Sequence, residues 1–178
     1  MALPKLNHPT FELTIPSTKE KVKFRPYTVR EQKVLLMMKE SSEQEEIVQS
    51  LKDLIESCSQ TKINANKFAY FDIEYIFLKL RAFSVGEIST LSYKCNNLKA
   101  DGSKCSEITS MDIDLREIEV TFDGVKEKRI PIENGLYLLM NYSNLESAKY
   151  IADYRSTNNL ESFLNAIAID VKIGRAHV

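Results

Sequence analysis

The stretch Asp72-Ile-Glu-Tyr-Ile-Phe-Leu-Lys-Leu-Arg-Ala-Phe83 decides the fold, because its pattern predicts the central helix of the chain. Its apolar residues recur three and four positions apart, as on one helix face: Ile73, Ile76, Phe77, Leu80 and Phe83. Tyr75 and Leu78 widen that face, so this helix is expected to contact other elements on more than one side. Gly86 predicts its end.

Upstream of this helix the sequence predicts a β-hairpin. Residues 10–15 and 19–25 each alternate apolar and polar side chains, and Pro16 opens the turn between them. Val22 and Phe24 are expected to face the core. The opposite side of the second strand is expected to carry four cations: Lys19, Lys21, Lys23 and Arg25.

Two further helices are predicted between the hairpin and the central helix. Thr28 with Glu31 forms a capping box that predicts a helix to about residue 39, and Ser42 with Glu45 forms a second. Cys58 completes the apolar stripe of the second helix. Because free cysteine is among the most buried residue types, Cys58 is predicted to lie in the core.

Downstream the strands come as a group. Residues 88–95 and 108–115 predict two strands around a polar loop, 96–104, and Asp123-Gly124 predicts a hairpin between residues 118–122 and 125–132. Grouped strands favour the α+β class. The expected order is an N-terminal β-hairpin, three helices, a small antiparallel sheet of about four strands and C-terminal helices.

The C-terminal helices are predicted from two capping signals. Ser143 or Asn144 is expected to begin a helix over residues 145–154, and Asn158 or Asn159 a second one. The second helix carries an apolar stripe that needs a partner: Leu160, Phe163, Leu164 and Ile167.

The last six residues look foreign to the fold. Ile173-Gly-Arg-Ala-His-Val178 is similar to the translation of a common sequencing-library adaptor. We therefore expect one domain over residues 1–172, an adaptor-derived tail over 173–178, and a C-terminal helical region that is truncated.

Composition excludes several classes of protein. The formal net charge of −1 gives no overall attraction to nucleic acid or anionic lipid, although residues 1–39 hold eight Lys or Arg against three Asp or Glu. No apolar run approaches the roughly 18 residues of a membrane span. Gly-rich phosphate loops and the usual hydrolase and metalloprotease motifs are absent from the sequence, so no catalytic residue and no cofactor is predicted.

Cys95 and Cys105 are the only candidate metal ligands. They stand at the two ends of one loop, with nine residues between them. A structural zinc site needs four ligands, usually with two to four residues between paired cysteines. The favoured interpretation is therefore two neighbouring thiols without a metal.

Lys19, Lys21, Lys23 and Arg25 are the candidate partner-binding residues. One face of cations could steer an acidic protein, follow a phosphate backbone, or guard a strand edge. Interleaved aromatic residues for stacking on bases are missing, which favours a protein partner over nucleic acid.

Three segments, residues 2–17, 22–37 and 71–87, are followed in order by the loop from Cys95 to Cys105 and by Ile130-Pro-Ile132. Together they resemble the baseplate hub subunit, or hub-assembly protein, of T-even-type contractile-tailed bacteriophages. The likeness covers nearly all of residues 1–172 and comes from the order of the segments.

The resemblance implies a non-enzymatic protein of the central hub of the phage tail baseplate. It implies other hub or tail proteins as partners, no cofactor and no small-molecule substrate. The expected place is the cytoplasm of the infected bacterium during assembly, with the protein then staying in the tail baseplate or leaving as a chaperone. Two alternatives stay open: a small nucleic-acid-binding module that uses the basic hairpin, and a hydrolase with an unrecognised site.

Overall fold

The computed structural model describes residues 9–40, 44–99, 102–122, 129–132 and 135–175. The first half contains β1 (Phe11–Thr14), β2 (Lys21–Phe24), α1 (Val29–Glu40), α2 (Gln44–Cys58), a 3₁₀ turn (Ala65–Lys67) and α3 (Tyr70–Ser84). The second half contains β3 (Ile88–Lys94), β4 (Ile108–Asp114), β5 (Arg129–Pro131), β6 (Leu136–Met140), α4 (Leu145–Thr157), α5 (Leu160–Asp170) and β7 (Val171–Arg175). The predicted α+β class is confirmed. Within the described ranges, no helix has the length and apolar character needed to cross a membrane.

The hydrophobic core joins the N-terminal hairpin to α2 and α3. β1 and β2 pair antiparallel, with Leu13 opposite Val22. Val22 and Phe24 are buried while Lys21 and Lys23 are exposed, as the alternation predicts. The two helices contribute most of the remaining core residues: Leu54, Ile55 and Cys58 from α2, and Ile73, Ile76 and Leu80 from α3.

Cys58 is fully buried in this core, so its predicted position is confirmed. Burial raises the pKa of its thiol to about 11, which keeps the sulfur protonated near neutral pH. The backbone here ties β2 to the end of α2. The carbonyl of Cys58 accepts a hydrogen bond from the Arg25 N–H at 2.9 Å, and the Gln60 N–H donates to the Lys23 carbonyl at 2.9 Å.

A buried carboxylate fixes the turn of the hairpin against α3. Asp72 is 0% exposed and accepts hydrogen bonds from the Ser17 N–H at 2.9 Å, the Ser17 hydroxyl and the Ala69 N–H at 3.1 Å. A buried charge is tolerated only when such partners replace water. Asp72 also lies in the first turn of α3, where the helix dipole favours a negative charge.

The β3–β4 hairpin extends from the end of α3 with little cover, and neither strand contains a buried residue. Lys79 of α3 holds its base. Lys79 is only 4% exposed. Its ammonium group donates to the Leu115 carbonyl at 3.3 Å and to the Arg116 carbonyl. Burial lowers the pKa of Lys79, because the charged form loses hydration.

Asparagine caps begin both C-terminal helices. The Asn144 side chain accepts hydrogen bonds from the N–H groups of Glu146 and Ser147, both at 2.9 Å. The Asn159 side chain accepts one from the Glu161 N–H at 3.0 Å. Each asparagine was one of two predicted caps for its helix.

Two separate sheets replace the expected single sheet of about four strands. β3 pairs with β4, while β5, β6 and β7 form a three-stranded antiparallel sheet. β7 was not predicted, and it includes residues 173–175 of the segment expected to be foreign. The turn at Asp123-Gly124 and the cap residue Ser42 lie outside the described residues.

The predicted strand over residues 118–122 is wrong, and β5 pairs with β6 instead. Phe122 packs against other aromatic residues, with ring centroids 5.8 Å from Phe71 and 6.3 Å from Tyr142. These contacts place the end of the segment beside α3 and the start of α4. The hairpin pattern in the sequence is local, so it could not predict this contact between distant segments.

Replacing Asp72 with Asn tests the joint between the hairpin turn and α3. The substitution keeps the shape but removes the charge and one acceptor, so at least one of the three donors from Ser17 and Ala69 loses its partner. We expect the free energy of unfolding to fall by about 2–3 kcal/mol, measured by urea denaturation. Glu20→Gln, at an exposed position of the same hairpin, is the control. A loss for Asp72→Asn no larger than for this control would contradict the assigned role.

Candidate interaction surfaces

Lys21 and Lys23 point from β2 into solvent, as predicted for partner-binding residues. Lys23 lies opposite Glu12 in the register, and Lys21 Nζ forms an ion pair with Glu12 Oε1 at 3.1 Å. An exposed pair of this kind contributes about 0–1 kcal/mol. A partner could therefore engage either lysine at little cost to the fold.

Lys19 does not lie on that strand face. It precedes β2 in a turn, with a left-handed φ of 62°, and its N–H donates to the Ile15 carbonyl at 2.8 Å. Its Nζ lies 4.9 Å from the ring centroid of Phe122. The ammonium group of Lys19 therefore lies over the ring of Phe122 and does not extend the row of exposed lysines on β2.

Arg25 lies beyond β2 and is held by the fold. Its Nη1 and Nη2 donate to the two carboxylate oxygens of Glu31 at 3.0 and 2.7 Å, and to the carbonyls of Pro26 and Ser57, both at 3.0 Å. The expected face of four cations is therefore wrong for Lys19 and Arg25. Partner binding by the four residues stays a prediction.

The electrostatics of Glu31 identify this pair as a structural contact. Burial tends to raise the pKa of Glu31, but hydrogen bonds from Arg25, Thr28 and Ser57 outweigh it and lower the pKa to about 2. The hydrogen bonds that Arg25 donates to Glu31 raise the pKa of Arg25. The bond from the Thr28 N–H, at 2.6 Å, is the Glu31 half of the predicted capping box.

Cys95 and Cys105 are free thiols, each partly exposed. The Cys95 N–H donates to the Glu107 carbonyl and the Cys105 N–H to the Asn97 carbonyl, both at 2.8 Å. The hydrogen bonds of the β3–β4 ladder thus continue into the loop, where Cys95 lies level with Glu107 and Cys105 lies level with Asn97, two residues further along. Among the described residues, no group of three or more His, Cys, Asp or Glu side chains could hold a metal ion.

One face of the β3–β4 hairpin is apolar and uncovered. The register places Leu91 directly opposite Met111, with Tyr93 and Ile113 on the same face. Leu91, Tyr93 and Met111 are 39–52% exposed. A sheet with one apolar face normally buries it, and no element of the described chain covers this one.

The middle of the opposite face is polar, with Ile88 and Ile108 near its two ends. Thr90 donates to Asp112 at 2.6 Å, and the hydroxyl groups of Ser92 and Ser110 lie 3.3 Å apart. Sequence reasoning found both strands but not this division into surfaces. The available signal was the alternation on two paired strands, which predicts one apolar face without showing whether anything covers it.

An apolar groove of about 850 Å³ lies between α2 and α4. Its described lining includes Ile47, Val48, Leu145 and Ile151, with Arg155 among the polar residues. Carboxylates and histidines are missing from the lining residues that the structure describes. The described lining is thus mostly apolar, with Lys149 and Arg155 as its charged residues.

Exposed apolar faces of this kind are typical of proteins that associate with other chains. The sequence matches the family described as T4 bacteriophage base plate protein over residues 8–170. The chain belongs to this family, which confirms the resemblance to T4-type phage baseplate proteins. The comparisons with curated proteins and with solved structures each give no match.

Replacing Glu31 with Gln tests the electrostatic contribution of the Arg25 contact. The pKa of Glu31 is about 2 in the folded protein and near 4.5 in the unfolded chain. The ionised carboxylate therefore stabilises the fold above pH 4.5. That contribution is lost as the pH falls toward 2. We expect Glu31→Gln to be less stable at pH 7 by about 1–2 kcal/mol, after allowance for solvent screening, and to lose less stability on acidification.

The measurement is urea denaturation at several pH values between 7 and 2. Arg25→Gln should also flatten the acid dependence, because it removes the partner of Glu31. Lys21→Gln removes only the exposed ion pair with Glu12 and is the control, with a wild-type acid dependence. Equal acid dependence in all four proteins would overturn the assignment.

Proposed function

We propose that the chain is a non-enzymatic structural or assembly protein of the central hub of the baseplate. It acts by binding other hub or tail proteins while the tail is built in the host cytoplasm. Family membership supports the baseplate role. The assignment to the hub is supported by the resemblance of residues 2–17, 22–37 and 71–87.

The observation that carries the proposal is the uncovered apolar face of the β3–β4 hairpin. Two contacts at its base orient that face before any partner binds. Lys79 donates to the carbonyls of Leu115 and Arg116, and the Arg116 side chain contacts Asp114 at 2.8 Å and Glu87 at 3.7 Å. A preorganised surface loses less conformational entropy on binding than a flexible one.

The surroundings of the ionisable groups favour binding over catalysis. A perturbed group in a cleft is a candidate for acid–base chemistry. Glu31 and Arg25 instead satisfy each other, and Lys79 is turned toward backbone carbonyls. These groups support the fold, and none of the three lines the groove between α2 and α4.

Replacing Tyr93 and Met111 with Lys tests the hairpin face. The protein carries an affinity tag and is co-expressed with the hub and tail proteins of the same phage. We expect the double variant to recover at least about tenfold less of its hub partner, equivalent to 1.4 kcal/mol of binding free energy. Its melting temperature should change little, because the replaced side chains are half exposed.

The matched control is Thr90→Lys with Ser92→Lys, which adds two charges to the polar face of the same strand pair. This control should retain its partner. Loss of partner in both double variants, or in neither, would remove the apolar face as the binding surface. Retained binding to wedge or tube proteins without any hub protein would contradict the hub assignment.

The N-terminal hairpin is a second proposed contact, together with loop 96–104. Replacing Lys19, Lys21 and Lys23 with Gln should slow association with an acidic baseplate protein, most strongly at low salt, because exposed charges act mainly on encounter rates. The measurement is the association rate at two ionic strengths, together with the melting temperature.

Arg25→Gln is the contrasting variant, since it should lower the melting temperature. Unchanged association of the lysine variant with new self-association would instead identify the lysines as a strand-edge guard. Salt-dependent retention of the unmodified protein on double-stranded DNA, lost in the lysine variant, would favour the nucleic-acid alternative.

A further inference from the structure

Helix α1 presents an apolar face to solvent. Leu35 and Met38 are half-buried on its inner side. The outer side carries four apolar residues that are 44–71% exposed: Val29, Val34, Leu36 and Met37. With Lys33, three of them fall at positions 29, 33, 36 and 37, the spacing of one helix face.

The charge on this face of α1 is positive. Arg30 and Lys33 lie between the apolar residues, are exposed, and form no ion pair with any described residue. The one acidic side chain of α1 that the structure describes, Glu31, is turned inward and held by Arg25. The surface is therefore apolar and basic together.

Helix α5 presents an apolar face with the opposite charge. Its inner side buries Ser162, Ala166 and Asp170. The outer side carries four residues that are 40–63% exposed, as expected for a stripe in need of a partner: Leu160, Phe163, Leu164 and Ile167. Glu161 is exposed beside this stripe, and α5 contains no Lys or Arg.

We propose that the protein associates with itself head to tail, with the α1 face of one copy on the α5 face of the next. The stripes match in length, because residues 29–37 and 160–167 span about 12 and 10 Å at 1.5 Å per residue. In this pairing Arg30 and Lys33 oppose a helix whose exposed charged residue is Glu161. Pairing α1 with α1 would instead bring cations together.

This association goes beyond the proposed function and does not depend on the identity of any hub protein. Each copy uses two different surfaces, so the interface is heterologous. Such an interface closes into a ring when the rotation between copies permits, and otherwise continues as an open chain. Each interface buries the α1 face of one copy and the α5 face of its neighbour, so both helix faces of a copy are covered in a closed ring or inside a longer chain.

Two variants, Met37→Asp on α1 and Leu164→Lys on α5, test the pairing by sedimentation velocity. The unmodified protein should form dimers and larger species as its concentration rises. Each variant alone should be monomeric. An equimolar mixture should form dimers and nothing larger, because only one intact α1 face meets one intact α5 face.

Other results would overturn the proposal in identifiable ways. Association of Leu164→Lys alone would indicate α1–α1 contacts, and association of Met37→Asp alone would indicate α5–α5 contacts. If the wild-type protein is monomeric and the α1 or α5 variants no longer bind another baseplate protein, these faces belong to the interface with that protein. Because both positions are more than half exposed, circular dichroism should show unchanged folding.

A charge exchange provides a second arm with smaller changes. Lys33→Glu and Glu161→Lys should each weaken association about tenfold, and the two changes in one chain should restore it. Lys62→Glu, at an exposed residue away from α1, is the matched control and should associate like the wild type. Failure of the double exchange to restore association would refute the charge pairing between α1 and α5.

Discussion

The hydrogen bonds of the buried Asp72 carboxylate connect the N-terminal hairpin to α3, the helix that also holds the β3–β4 hairpin. Lys79 lies seven residues further along, about 10 Å at 1.5 Å per residue, and fixes the β3–β4 hairpin through two backbone carbonyls. One helix thus holds two hairpins with one buried charge of each sign. No buried polar side-chain atom in the described part of the chain lacks a hydrogen-bond partner, which is the condition under which buried charges are tolerated.

The parts of the fold that sequence patterns predicted are those set by local chemistry. The inward positions of Val22 and Phe24, the burial of Cys58 and the caps at Asn144 and Asn159 each follow from neighbours within a few residues. The position of the Arg25 side chain could not be predicted in this way, because its partners include the Ser57 carbonyl, 32 residues away. Alternation gives the direction of a side chain, but it does not give the group that the side chain meets.

The candidate surfaces were predictable only in part for the same reason. The alternation around Leu91 and Met111 predicts an apolar strand face, and the spacing from Leu160 to Ile167 predicts an apolar helix stripe. Whether another element covers such a face depends on tertiary contacts between distant segments. Lys79 shows the same dependence for a charged residue. A lysine is normally expected to be exposed, but Lys79 is buried, and its ammonium group donates to backbone carbonyls of a distant segment.

The distribution of buried residues explains why so much apolar surface stays available. Among the described residues, the core cluster extends beyond α3 only at Leu145. The C-terminal half is therefore held mainly by strand pairing, helix caps and local contacts, while the apolar side chains of α5 and of the β3–β4 hairpin face outward. Any chain that binds the folded form stabilises it by mass action. On the proposed function, assembly into the baseplate and completion of the protein's hydrophobic burial are the same physical event.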